Sequence, residues 1–288
     1  MRKYTITQFN KEFPDDDACL EWLRNYLYPK KIDCPICNKP TKHHRIKGIK
    51  VKKVYGCDYC GHQISPTTGT IFEHSPTPLK LWFYAIYLMS ATRCGISAKQ
   101  IQRETGVTYK TAWRMFNKIR SLLQEEHEPT SGEFEVDETY IGASKPGKRG
   151  RGAGGKMVVF GVAQRKGNVS ASIPTSLKSS VVIPLIKRRA LPKSKVYTDE
   201  FPTYDYLNEH DFEHERVHHT AKVWVVGDAH TNTIEGFWSA LKRGINGVYH
   251  AVSLTHLQGY INEYSFRYNH REDDKPLFKT ILEKVLAS

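Results

Sequence analysis

The chain has 288 residues, of which 39% are hydrophobic, 25% charged and 11% aromatic, proportions that exclude a largely disordered polypeptide and fit about two folded domains. Lys and Arg number 43 against 30 Asp and Glu, a formal charge of +13, which favours a polyanionic partner, nucleic acid ahead of an anionic membrane surface. No basic amphipathic helix or lipidation signal supports the membrane alternative.

The N-terminal stretch "MRKYTITQFNKEFPDDDACLEW" lacks the apolar core of a signal peptide, and the longest apolar run, "LKLWFYAIYLMSA", is too short for a membrane span. A cytoplasmic protein is expected. Of six cysteines, Cys19 and Cys94 stand alone and read as reduced, packed thiols; the other four form two C-x-x-C pairs.

Those pairs, Cys34/Cys37 and Cys57/Cys60, have nineteen residues between them, a spacing that reads as one structural zinc ion on four thiolates. The alternating, β-branched "IKVKKVYGC" before the second pair suits a short strand pair, so a zinc ribbon over about residues 30–65 is expected within an N-terminal region 1–75. A redox pair or a disulfide knot fits the spacing and compartment less well. His43, His44 and His62 read as surface residues, because four cysteines already complete a tetrahedron.

Residues 76–127 read as helical. Leu79, Trp82, Phe83, Ile86 and Tyr87 recur at helical spacing; "SAKQ" opens a second helix at Ser97, Gly106 supplies a tight turn, and Thr108 caps a third helix. Two short helices joined through a glycine turn form a helix-turn-helix. The second helix places Lys110, Arg114 and Lys118 on one face, suited to DNA phosphates or base edges; the alternative is a solvated helical hairpin.

After a polar linker near Gln124–Gly132, the region 132–288 alternates strand and helix signals. "EFEVDETYIG" has period two. "KMVVFGVAQRKGNVSASIP" reads as a hairpin turning at Lys166–Asn168, "SSVVIPLIKRRAL" as a helix broken or started near Pro184, and "KVYTDE" and "FEHERVHH" as strands. Two helices follow, one from Thr233 and one from Leu254. The basic, glycine-rich "SKPGKRGRGAGGK" reads as a loop between strands and matches no phosphate loop.

Three acids stand out. Asp137 falls on the same strand face as Glu133 and Glu135, opposite Phe134 and Val136, and Asp199 ends the strand "KVYTDE". Acids at buried strand ends are costly unless paired or bound to a cation, so a metal site competes with simple turn capping. Glu235 stands three residues after Asn232, a capping-box spacing, yet it also shares a face with Trp238 and Lys242 beside the apolar stripe of Ile234, Phe237, Leu241 and Ile245.

The succession of the double C-x-x-C ribbon, "TTGTIFEHSPTPLKLWFYAIYL", "VDETYIG", "YTDEFPTY" and "HTNTIEGFWSALKRGINGVYH" with "FRYNHR" resembles insertion-sequence transposases of the IS1595 (ISXO2-like) group over nearly the whole chain. The resemblance implies a mixed-sheet, RNase H-like α/β catalytic domain of the DDE type behind the ribbon and helix-turn-helix. It matches Asp137, Asp199 and Glu235 to the three acids holding two Mg or Mn ions, and Lys242 to the lysine of the same helix, with Asn232 the alternative third position. It further implies DNA as partner, both element ends and target, at least a dimer on DNA, and a bacterial host. A non-catalytic DNA-binding regulator descended from a transposase is the alternative, and a nuclease acting on RNA or hybrids a third reading.

Overall fold

The computed structural model describes residues 4–28, 32–46, 54–142, 156–217, 230–250 and 252–285. The chain divides into two compact units, one of residues 1–122 with 273–288 and one of residues 123–272.

In the first unit, α1 (Ile6–Glu12) and α2 (Asp16–Leu27) precede two small sheets, β1 (Ile32–Asp33) with β2 (Pro40–Thr41), and β3 (His43–Arg45), β4 (Tyr55–Cys57) and β5 (Gln63–Ile64). All pairings are antiparallel, and together they form the ribbon. Part of the expected strand pair, residues 47–53, lies outside the described residues.

Helix α3 (Leu79–Ala91) buries Leu79, Trp82, Phe83 and Ile86 completely, as its spacing requires. Ser97 and Thr108 then accept the N–H groups of Gln100 and Thr111, starting α4 (Ala98–Thr105) and α5 (Tyr109–Ser121). Between them Gly106 sits at φ +71°, where a side chain would be strained. The last helix, α9 (Leu277–Lys284), belongs to this unit and not to the following one, against the expected 132–288 division. Phe278 lies within 5.8–6.1 Å, ring to ring, of Phe9, Phe13 and Tyr87 and stacks on Tyr4 at 4.7 Å, so aromatic burial draws the chain end back to α1 and α3.

The second unit is built on a five-stranded sheet: β6 (Glu133–Gly142), β7 (Lys156–Gln164), β8 (Val169–Ser172), β9 (Lys195–Thr198) and β10 (Glu213–Arg216), in the order β10-β9-β6-β7-β8. β6, β7 and β8 form an antiparallel meander, while β9 runs parallel to β6 and β10 parallel to β9. This is the strand order and polarity of the RNase H-like fold. Lys166, at φ 56°, turns the β7–β8 hairpin where the sequence places it.

Period two in β6 divides the core. Phe134 and Val136 pack with Phe160 and Val162 beneath α6 (Ser179–Lys187) and a 3₁₀ helix at Pro202–His210. The other face, with Val159 and Ala163, packs under α7 (Asn232–Gly244) and α8 (Leu257–Asn269). α6 runs through Pro184 instead of breaking or starting there. The carbonyl deprived of its partner is that of exposed Ser180 in the first turn, where water can replace the missing N–H.

Side chains of α8 close the outer edge of β8. Asn269 Nδ2 donates to the Val169 carbonyl (3.1 Å) and its Oδ1 accepts from the Val169 N–H (2.8 Å). Gln258 likewise accepts from Ile173 N–H (3.1 Å) and donates to the Ala171 carbonyl (3.2 Å). No described helix is long and apolar enough to cross a membrane.

Candidate metal centres and acidic cleft

In the ribbon, Cys34, Cys37, Cys57 and Cys60 converge so that one sulfur of each lies within 4.8 Å of the others. Cys34 Sγ is 3.5 Å from Cys60 Sγ, and Cys37 Sγ is 3.9 Å from Cys57 Sγ. Four thiolates about 2.3 Å from one tetrahedral ion would stand about 3.8 Å apart, so the donor set fits zinc. Left-handed turns at Asn38 (φ 50°) and Gly61 (φ 73°) bend each knuckle. The Thr41 hydroxyl, 3.1 Å from Cys57 Sγ, and the backbone N–H groups of Cys60 and Tyr59 lower the Cys57 thiol, while burial and the neighbouring sulfurs raise Cys37 and Cys60, as expected of thiols crowded round one point. His44 is exposed beside Asp58 (2.6 Å), as expected of a surface residue. His43 is not: facing Cys57 across the β3–β4 ladder, it is buried, with Nδ1 3.2 Å from the Thr41 carbonyl oxygen. Cys19 is packed in α2, whereas Cys94 is exposed.

Lys110, Arg114 and Lys118 are all exposed along one face of α5. Arg114 reaches Ser75 and Thr77 (3.4 and 3.5 Å), and Lys118 the Ile71 carbonyl (3.4 Å), so this face leans on the preceding loop.

A cleft of about 550 Å³ opens beyond the end of β9 and brings together Asp137, Asp199, Glu235 and Lys242. β6 carries Asp137, and Asp199 follows β9, whose Thr198 lies opposite Val136 in parallel register; the two acids are therefore adjacent in space. Asp199 Oδ1 accepts the Phe201 N–H (3.0 Å). Glu235, in the first turn of α7, is exposed, and its Oε1 accepts from the Thr231 hydroxyl (2.7 Å).

The tightest acidic group includes a residue that the sequence reading passed over. Carboxylate oxygens of Asp137, Glu138 and Asp199 all lie within 4.8 Å of one another, whereas Glu235 lines the same cleft outside that group. Glu138 belongs to the opposite strand face by period two, which concealed it. It is buried, and its Oε2 accepts from the buried Tyr204 hydroxyl (2.9 Å). Burial, with the charges of Glu138 and Asp199, raises Asp137 to about 7, against the opposing pull of the Glu138 N–H and the Trp238 indole. Lys242 is the only cation lining the cleft among the described residues. Hard oxygen donors crowded to this degree fit a divalent cation.

Trp238 orients Asp137. Its Nε1–H donates to Asp137 Oδ2 (2.9 Å), and its ring lies over Gly161, the residue facing Asp137 on β7. A Cβ at Gly161 would come within 2.7 Å of that ring, so the indole requires a glycine there.

The expected capping box at Asn232 is not formed. The N-cap is Thr231, Asn232 is an exposed residue of the first turn outside the cleft lining, and the Thr233 and Ile234 N–H groups donate to Glu135 Oε2 (2.7 and 3.0 Å). A strand carboxylate takes the amides that a capping side chain would have taken. The segments 143–155 and 218–229, with most of the glycine-rich loop and the last two residues of "FEHERVHH", lie outside the described residues.

Residues 129–269 match the model of the ISXO2-like transposase domain, and residues 14–63 that of the transposase zinc-ribbon domain. The chain is also 32% identical to an uncharacterised protein of the transposable element ISH50 in Halobacterium salinarum, across 96% of this chain and 99% of that protein. The chain belongs to the ISXO2-like transposase family. A transposase-like protein of Haemophilus influenzae shares 29% identity over 37% of this transposase and 85% of its own length. Among solved structures, the simian T-cell lymphotropic virus intasome with PP2A regulatory subunit B56 gamma overlaps at a TM-score of 0.30 with 13% identity, covering 64% of both chains. The pre-cleavage Mos1 transpososome overlaps at 0.28 with 12% identity, covering 67% of this chain and 74% of that one.

Proposed function

We propose that this family member is an active DDE-type transposase that binds insertion-sequence ends, cuts them and joins them to target DNA. The observation that carries the reading is the convergence of Asp137, Glu138 and Asp199 where β6 runs on past the end of β9, in a cleft that Glu235 and Lys242 also line.

In this reading Asp137, Glu138 and Asp199, with Glu235 from α7, hold divalent ions, Mg or Mn. Such ions, when bound, supply a stronger oxygen nucleophile and offset charge on the attacking and leaving oxygens. The side chains do the positioning. Trp238 fixes one oxygen of Asp137, the Thr231 hydroxyl fixes one of Glu235, and Lys242 offers its ammonium to a DNA phosphate. Water attacks the phosphorus at the element end, and the bond to the 3′-oxygen breaks to leave a 3′-hydroxyl. That hydroxyl then attacks a target phosphodiester, forming one P–O bond as another breaks, so no covalent enzyme intermediate is required.

The ribbon, closed around one zinc ion, and the exposed basic face of α5, as the second helix of a helix-turn-helix, serve DNA binding. Joining two element ends calls for at least a dimer on DNA. The deciding experiment is Asp137→Ala assayed on element-end DNA. End binding is retained and Mg-dependent cleavage and strand transfer are lost; persistent cleavage would overturn the reading, and wild-type end binding without cleavage under any divalent ion would favour a regulator.

A further inference from the structure

Glu135 lies two residues before Asp137 on the same face of β6 and has no exposure to solvent. A fully buried carboxylate persists only if donors saturate it. Here they arrive from two directions. The first turn of α7 supplies Thr233 N–H (2.7 Å), Thr233 Oγ1 (2.9 Å) and Ile234 N–H (3.0 Å), and the β7–β8 turn supplies Arg165 Nε (3.0 Å); His230 Nδ1, in the residue leading into the helix, lies 3.2 Å away without forming a hydrogen bond.

Arg165 is itself fixed. Its other nitrogens donate to Glu133 Oε2 (3.0 Å) and the His230 carbonyl (2.8 Å), and its guanidinium lies 3.8 Å from the centre of the Tyr197 ring. The side chain of Thr231, the N-cap, takes none of the helix amides, because its hydroxyl is turned to Glu235, and only its carbonyl accepts one, from Glu235 N–H (3.0 Å). The start of α7 is therefore held by the strand and not by its own cap.

Trp238 makes a second attachment one turn on, to Asp137. Two anchors two residues apart on β6, Glu135 to Thr233 and Ile234 and Asp137 to Trp238, set both the rotation and the axial position of α7. Glu235 lies between them. We infer that Glu135, with Arg165 as its counter-ion, is a positioning residue that sets the distance of Glu235 from Asp137 and Asp199 and so tunes the affinity of the cleft for divalent ions. The inference rests on the metal-dependent reading above.

The test uses the zinc-loaded full-length protein and reads Mn²⁺ binding by the loss of the free-ion paramagnetic signal, beside end binding and Mg-dependent cleavage. Glu135→Gln keeps the volume but removes the charge. It should fold and bind element ends, yet bind Mn²⁺ about tenfold more weakly and need correspondingly more Mg for half-maximal cleavage, the usual scale for a residue that orients a ligand. Glu213→Gln, at the exposed start of β10 and outside this network, should leave both unchanged. Wild-type Mn²⁺ affinity and Mg requirement in Glu135→Gln would reduce Glu135 to a helix cap and overturn the inference. If that variant does not fold, Arg165→Lys, which keeps the charge but loses the fork, decides in the same way: weakened Mn²⁺ binding supports the inference and unchanged binding overturns it. Failure of the underlying reading has a different signature, because Asp137→Ala would then bind Mn²⁺ and cleave as the wild type does.

Discussion

The ribbon and the acidic cleft both gather atoms that fit a metal ion, but they do so in opposite ways. Four thiols contributed by two tight knuckles close around one point, and the surrounding chain is too short to form a core without them. The cleft collects its acids from a strand, the residue after another strand and a helix beginning ninety-seven residues beyond Glu135, all held on an independently packed sheet. A donor set that builds the local fold is closed and local in sequence. One that serves chemistry is open, distant in sequence and dependent on supports such as Trp238 and Glu135.

The contrast predicts different responses to metal removal, and this is the largest effect expected. Stripping zinc with a chelator, or Cys57→Ser, should unfold the ribbon, since structural zinc supplies roughly 10 kcal/mol or more to such modules. Loss of dispersed amide signals from residues 32–64, with those of the RNase H-like sheet intact, is the expected spectrum; an intact ribbon without zinc would erase the distinction.

The next effect lies in the cleft. Glu235→Gln should fold and bind ends but lose cleavage, while Asn232→Ala, outside the lining, should retain it. The opposite pattern would transfer the third position to Asn232.

A smaller effect concerns stability without divalent ions. Asp137 is raised to about 7 from an unfolded value near 4, mainly by burial, so between those values the folded state holds a proton that the unfolded state has released. The contribution of this group to stability falls as pH rises from about 4 to about 7 and then levels off. Asp137→Asn lacks this penalty and should melt several degrees above the metal-free wild type at pH 8, the gap closing toward pH 4 and on addition of Mg to the wild type. Calorimetric melts at the two pH values measure it. An equal melting temperature at pH 8 would show that the acids of the cleft are not in conflict.

The smallest effect concerns DNA binding. Alanine at Lys110, Arg114 or Lys118 should each lower the slope of log affinity against log salt by nearly one. An unchanged slope would make that face of α5 packing surface, as its contacts with Ile71, Ser75 and Thr77 already partly are.

Features that depend on local spacing were legible in the sequence. The cysteine pairs, the β7–β8 turn, the caps at Ser97 and Thr108 and the apolar stripe of α7 each follow from a pattern a few residues long. Asp137, Asp199, Glu235 and Lys242 could be named together only through the family resemblance, and the cleft contains all four. By strand periodicity Glu138 faces away from Asp137, yet where β6 continues past the end of β9 both of its faces reach one cleft. Glu135 was visible on the correct face, yet nothing within β6 showed that it would take the amides of a helix starting far along the chain. That contact also explains why a capping box at Asn232 was unnecessary. The return of α9 to the first unit depends on aromatic rings brought together only by tertiary folding.

The two amide side chains of α8 that occupy the β8 edge carry one more implication. An unfilled strand edge invites any neighbouring chain to extend the sheet, and copies assembled on paired DNA ends would meet at high local concentration. With Asn269 and Gln258 already in the place of a sixth strand, that route is closed at β8, and the proposed dimer would have to form through other surfaces. Replacing either amide would expose a sticky border on that side of the sheet.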